Sequence, residues 1–229
     1  VQEKLKMGQP VMAVPYNEGL SIFGFAPQPG KIFEVYDRIA LGGVGHPADV
    51  ERLRMNLLDM AHLEGFNRSA QDVTSARLLQ FGIAPALKQN FEEIQRAPYI
   101  IRMLLVELDR EGDPNFFRMN YDGHWETFNN GTAIAGEEKV MDWLQKEIQK
   151  QPFATYSLDQ ALQQACKLWD ESRKLDSDDE TKKNIPETLQ EAFDQWYLEG
   201  AVLTEKSARK AIYRPLSKDE IERLKSSVV

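Results

Sequence analysis

Residues 99 to 108 read Tyr-Ile-Ile-Arg-Met-Leu-Leu-Val-Glu-Leu, ten positions broken only by the charges of Arg102 and Glu107. A strand with one face in water alternates apolar and polar side chains. This run does not alternate, so both of its faces must be covered. The chain therefore needs at least one packed layer on each side of this strand. With 229 residues, 42% apolar and 28% charged, it has the material for such a core.

The segments around the run supply the layers. Val11 to Tyr16 and Leu20 to Ala26 are strand-like on either side of a tight turn at Asn17-Glu18-Gly19. Pro27-Gln28-Pro29-Gly30 breaks the second of them. Lys31 to Tyr36 and Arg38 to Val44 predict a further pair, closing in Gly42, Gly43 and Gly45, where the backbone must approach something closely or turn sharply. Pro47 fits the first position of a helix. Val50, Leu53, Leu57, Met60 and Ala61 carry its apolar stripe, and Gly65 is expected to end it. Ser69, with Asp72 three residues on, is expected to open the next helix. Pro85 within that helix predicts a kink near Phe81.

Asp122-Gly123 predicts a two-residue hairpin between strands at Phe116–Tyr121 and His124–Phe128. Helical spacing resumes from Glu137 to Lys150 and again from Ser157, where Gln160 completes a capping box. Asp170 to Asn184 is a charge run, read as a solvated insertion or linker. Ile185 to Trp196 is assigned a short helix, and Leu198–Leu203 with Ala211–Leu216 a final strand pair. Ser217 and Glu220 cap a last helix, Lys218 to Lys225. Strands, two helices, strands, two helices, strands and a helix fit an α+β fold. Two stacked sheets, each covered on its outer face by helices, make a four-layer αββα sandwich. The domain is assigned to residues 10–229, preceded over residues 1–9 by a short polar helix or a flexible arm.

The net charge of −8 disfavours a nucleic-acid partner, because phosphate binding needs a basic surface. No apolar run approaches membrane-spanning length, and Val1 to Met7 lacks a signal-peptide core. Cys166 is the single cysteine, which fits a reducing cytoplasm, and it lies on an apolar helical stretch as a small core residue. His46, His62 and His124 form no ligand spacing, so neither a metal nor another cofactor is expected. Gly42-Gly43-Val44-Gly45 before a helix lacks the spacing of a phosphate loop, and close strand packing explains it better.

Four stretches, taken in order, resemble the α-type subunits of the proteasome, above all the actinobacterial type. They are Gly30–Ala40 followed by Gly43-Val44-Gly45-His46, then Gln71–Leu79, Tyr121-Asp122-Gly123 and Leu198–Arg214. The charge run and the short N-terminal arm depart from that pattern. The resemblance implies the Ntn-hydrolase sandwich. It also implies a heptameric α ring that caps rings of catalytic β subunits, gates substrate entry and receives the C-terminal tails of ring-shaped ATPase activators. Lys31, with Gly45 and His46 beside it, matches the tail-binding position, and Val1, Gln2, Glu3, Lys4 and Leu5 match the gate.

Catalytic relatives attack with an N-terminal threonine on the first strand, its own amine serving as base. Here that strand reads Pro10-Val11-Met12-Ala13-Val14, and Gly19 to Ala26 carries neither the Asp nor the Lys of the family. The chain is therefore expected to be non-catalytic. The alternatives are an active hydrolase of the same fold and a self-assembling homologue or scaffold without a catalytic partner.

Overall fold

The structure, a computed structural model, describes residues 1–175, 185–206 and 211–229. In chain order its strands are β1 (Val11–Tyr16), β2 (Gly19–Ala26), β3 (Ile32–Tyr36), β4 (Ile39–Gly45), β5 (Ile101–Leu108), β6 (Pro114–Met119), β7 (Trp125–Phe128), β8 (Thr132–Ile134), β9 (Tyr197–Leu203) and β10 (Tyr213–Pro215). Its α-helices are α1 (Gln2–Leu5), α2 (Pro47–Asn67), α3 (Ser75–Leu78), α4 (Ala84–Glu92), α5 (Glu138–Gln149), α6 (Leu158–Lys174), α7 (Leu189–Gln195) and α8 (Lys218–Val228). Among the described residues the strands form two antiparallel sheets, ordered β10-β9-β2-β1-β8 and β3-β4-β5-β6-β7.

The covered strand is β5, and every residue of it is buried. Its side chains alternate between two cores. Leu104, Val106 and Leu108 face the other sheet and belong to a core that continues through β1, β2 and β9 to the inner faces of α5 and α6. Ile101, Met103 and Leu105 pack instead with Leu53, Leu57 and Leu79 under the helices of the opposite layer. The expected αββα sandwich is what the chain forms.

The glycines of β4 set the spacing of these layers. A Cβ at Gly42 would lie 2.8 Å from Val11 Cγ1 of the facing sheet, and one at Gly43 would lie 2.9 Å from Val50 Cγ1 of α2. Adjacent positions point to opposite faces, so one glycine admits the second sheet and the other admits the helix.

Several local expectations need correction. Gly65 does not end α2, which runs on to Asn67 and places Gly65 against the Tyr36 hydroxyl. Ser69 opens only a 3-10 turn at Ala70–Asp72 and donates its hydroxyl to Asp72 Oδ2 at 2.9 Å. The helix proper starts at Ser75, capped by the Thr74 hydroxyl, which accepts the Arg77 N–H at 3.3 Å. The break expected near Phe81 is a π-helical turn at Leu79–Ile83, with the Ala84 N–H donating to the Leu79 carbonyl. It lies just ahead of Pro85, which has no N–H to give to the Phe81 carbonyl.

The Asp122-Gly123 hairpin exists, but its strands end earlier. Asn120 and His124 close the loop through a 2.9 Å backbone bond, so Tyr121 lies in the turn. Strand β8 was not anticipated. Both capping boxes, at Ser157 with Gln160 and at Ser217 with Glu220, are formed. The first part of the charge run, Asp170 to Lys174, is the last turn of α6, where Asp170 pairs with Arg173 at 2.9 Å and Lys174 at 3.1 Å. The rest of that run, from 176 to 184, lies outside the described residues, as do residues 207–210 of the fourth resembling stretch.

Candidate functional site

At one end of the sandwich a cleft of about 510 Å³ opens where the N-terminal segment crosses the starts of β3 and α2. Lys4, Leu5, Gly8 and Gln9 line it on one side, Gly30 and Lys31 on another, and Gly45, Pro47 and Val50 on a third. The fold thus brings together Lys31, the Gly45 turn and part of the proposed gate, which lie far apart in sequence.

Lys31 enters β3 from the Pro27–Gly30 break. Its segment is fixed by one carboxylate of the other sheet. Glu199 on β9 accepts the N–H of Gly30, the N–H of Lys31 at 2.9 Å and that of Ile32 at 3.0 Å. The half-buried side chain of Lys31 then reaches across the cleft, and Nζ donates to the Gln9 carbonyl at 3.1 Å. Burial pushes its ammonium down to about 8, partly offset by the negative charge of Glu199. The cation stays charged at neutral pH and has one hydrogen-bond acceptor among the described residues, so it retains donor capacity for an anion.

His46 does not take the expected place in the wall. It is the N-cap of α2, its Nδ1 accepting the Ala48 N–H at 3.3 Å while its own N–H donates to the Ile100 carbonyl at 2.8 Å. The cleft is lined by Gly45 and Pro47 on either side of it.

The arm is not a free tail over its described length. Gln2 to Leu5 form one helical turn, and Leu5 is 1% exposed. Glu3 pairs with Lys6 at 2.8 Å, and the Gln2 amide donates to Glu138 Oε1 at 3.2 Å. The sequence places Gln9 in the arm but gives no sign of it as the acceptor of Lys31, nor of Glu199 as the partner of the Lys31 N–H, because both roles arise from contacts across the fold. It marks Arg102 only as an interruption.

At the start of β1, where a catalytic relative would present its nucleophile, the chain places Pro10 and Val11, and the Pro10 carbonyl accepts the Trp169 indole N–H at 2.9 Å. Ser21 on β2 is fully buried and Cys166 likewise, its thiol pushed up to about 12 by burial, which keeps it in the unreactive protonated form. Among the described residues no helix is long and apolar enough to cross a membrane.

Two stacked antiparallel sheets between helical layers define an αββα sandwich of the Ntn-hydrolase type. The family model described as "Proteasome subunit" matches residues 25–185, most of the chain, and the chain belongs to that family. Curated relatives called "Proteasome subunit alpha" include that of Thermomonospora curvata, 29% identical over 143 residues, which are 61% of this chain and 61% of that protein. The Mycobacteroides abscessus relative is 29% identical over 139 residues, 56% of this chain and 53% of its own length. That of Acidothermus cellulolyticus is 32% identical over 108 residues, covering 47% and 46%. The chain thus spans roughly half to three-fifths of the length of the curated relatives it matches. Within the family its likeness is to α subunits of the actinobacterial type.

Proposed function

We propose that the chain is a non-catalytic α-type subunit of a 20S-type proteasome. Seven copies would form an outer ring on rings of catalytic β subunits, with the N-terminal arm restricting entry and ring-shaped ATPase activators docking their C-terminal tails at Lys31. The observation that carries this reading is the Lys31 ammonium, held in a cleft beside the arm with donor capacity left for a carboxylate. A charge-assisted hydrogen bond there stabilises the docked state by about 1.5–3 kcal/mol. The absence of a side-chain nucleophile from Pro10 to Val14 supports the non-catalytic role. Assembly is supported by Leu63, Phe66 and Phe81, large apolar side chains of the α2–α4 layer that are 61%, 88% and 67% exposed.

Coexpression with a threonine-bearing β subunit, followed by native mass and peptide hydrolysis, tests the reading. An inactive chain alone and an active four-ring particle with the partner are expected. Hydrolysis by the chain alone would overturn the non-catalytic assignment. A stable ring that never joins a partner would favour the self-assembling homologue instead.

A further inference from the structure

Arg102 is the charged side chain least expected in β5. It shares the strand face of Leu104 and Val106, is 1% exposed, and lies at the end of the core between the sheets. A buried guanidinium is tolerated only when its donors are matched. Nε donates to Asn120 Oδ1 at 3.0 Å, and Nη1 donates to the carbonyls of Ala135 at 2.7 Å and Gly136 at 2.9 Å. Nη2 lies 3.4 Å from Glu138 Oε1. Two of these four acceptors belong to the short turn between β8 and α5, and a third, Glu138, is the first residue of α5.

That turn is the seat of the N-terminal arm. The Gly136 N–H donates to the Gly8 carbonyl at 2.8 Å, and the Gly8 N–H donates back to Leu5 at 2.7 Å. A Cβ on Gly136 would lie 2.0 Å from the Leu5 carbonyl oxygen, so the arm rests directly on this residue. Glu138 Oε1, facing Arg102, also accepts the Gln2 amide. Both ends of the arm, at Gln2 and at Gly8, therefore meet residues that Arg102 holds. Elsewhere the arm packs on β4, where a Cβ on Gly8 would meet Val44 Cγ1 at 2.2 Å.

We propose that Arg102 is the positioning residue of the N-terminal arm: its guanidinium, reaching out of the central strand of one sheet, fixes the Ala135–Glu138 segment that follows β8 of the other as the arm's seat. The arm's order is then set from inside the core rather than by its own four-residue helix, which is too short to persist alone. The consequence for substrate entry rests on the reading of the arm as a gate.

Two variants act on the two sides of the contact. Arg102→Lys keeps the charge but cannot fork across two carbonyls. Gly136→Ala leaves the Arg102 partners in place and pushes a methyl group into the arm. Both are measured by amide exchange at Leu5, Gly8 and Gly136, and by the rate of trypsin cleavage at Lys4 and Lys6, with β1 amides as the internal reference. The expected result for each is faster exchange and cleavage in the arm by about tenfold or more, with β1 unchanged. If β1 accelerates equally in Arg102→Lys, Asn120→Ala, which removes only the Nε acceptor, replaces it with the same expectation. Release in Gly136→Ala with unchanged arm protection in the Arg102 or Asn120 variant would overturn the proposal.

The same variants, assembled with catalytic partner, are compared with a deletion of residues 1–9 in activator-free peptide hydrolysis. Arg102→Lys is expected to approach the deletion. If the deletion itself does not raise hydrolysis, the gate reading fails, while the exchange data still decide the role of Arg102.

Discussion

The Lys31 ammonium donates to the backbone carbonyl of Gln9 at 3.1 Å, so the cation proposed to receive an anion is bonded to the segment that leads out of the N-terminal arm. An incoming carboxylate must share that ammonium or take it from Gln9. The ammonium is also easier to discharge than an ordinary lysine, because burial pushes it from 10.5 down to about 8. Binding of a peptide with a free C-terminal carboxylate needs the charged form. Affinity is therefore expected to be level below that value and to fall as pH rises through it, whereas Lys31→Arg, charged throughout, should bind with no such fall. Calorimetric titration on either side of pH 8 checks this, with the C-terminally amidated peptide as control. Equal affinity of the two peptides for the wild-type chain would remove Lys31 from the docking role.

Glu107, the other charge in β5, leads to a stability prediction. It is 7% exposed and accepts the Ser75 N–H at 2.8 Å, tying β5 to the start of α3. Burial raises its carboxyl above the ordinary value of 4.5, more than the Ser75 bond and the positive charge of Arg38 lower it. The native state therefore holds the proton to higher pH than the unfolded chain does. Its contribution to stability is present below pH 4.5 and is lost as pH rises through the raised native value. Glu107→Gln keeps a carbonyl acceptor for Ser75 and cannot ionise. It should match the wild type in Tm at acid pH and exceed it at neutral and alkaline pH. A lower Tm for the variant at neutral and alkaline pH, with the two proteins equal at acid pH, would show that the ionised form is the stabilising one.

The parts of the fold legible in the sequence are those fixed by local chemistry. The unalternating run at Tyr99–Leu108 could only be a doubly covered strand, and Ser157 and Ser217 form their caps within their own turns. What escaped depends on distant partners. Strand β8 has three residues and no pattern of its own, and it exists because Val11, Met12 and Ala13 pair with it. Ser69 has the chemistry of a cap, yet Thr74 takes the helix start where the Glu107 carboxylate meets the Ser75 N–H. In the cleft, Lys31 was reached through resemblance, whereas Glu199, 168 residues further along the chain, gave no local signal of its bond to the Lys31 N–H. Arg102 did give one, as a charge where none should be tolerated.

The glycine pair in β4 offers the sharpest test of how the layers are spaced. A methyl group at position 43 would stand 2.9 Å from Val50 Cγ1 and 3.2 Å from Cγ2, and Val50 is buried in the first turn of α2. Either α2 lifts from the sheet or Val50 leaves its rotamer, and overpacking of this kind costs about 1–3 kcal/mol. Gly43→Ala should therefore lower the urea midpoint without changing its slope. Val50→Ala removes both clashing methyl groups and leaves a small void of its own. The void and the new methyl group compensate each other, so the double variant should be more stable than the sum of the single effects by about 0.5 kcal/mol or more. Because α2 begins at Pro47 on the rim of the cleft, lifting it would also move the wall opposite Lys31. Gly43→Ala is accordingly expected to weaken binding of the carboxylate peptide, and adding Val50→Ala should restore it. Strict additivity in stability, with peptide affinity unaltered in all three proteins, would mean that α2 is not held at its distance by this contact.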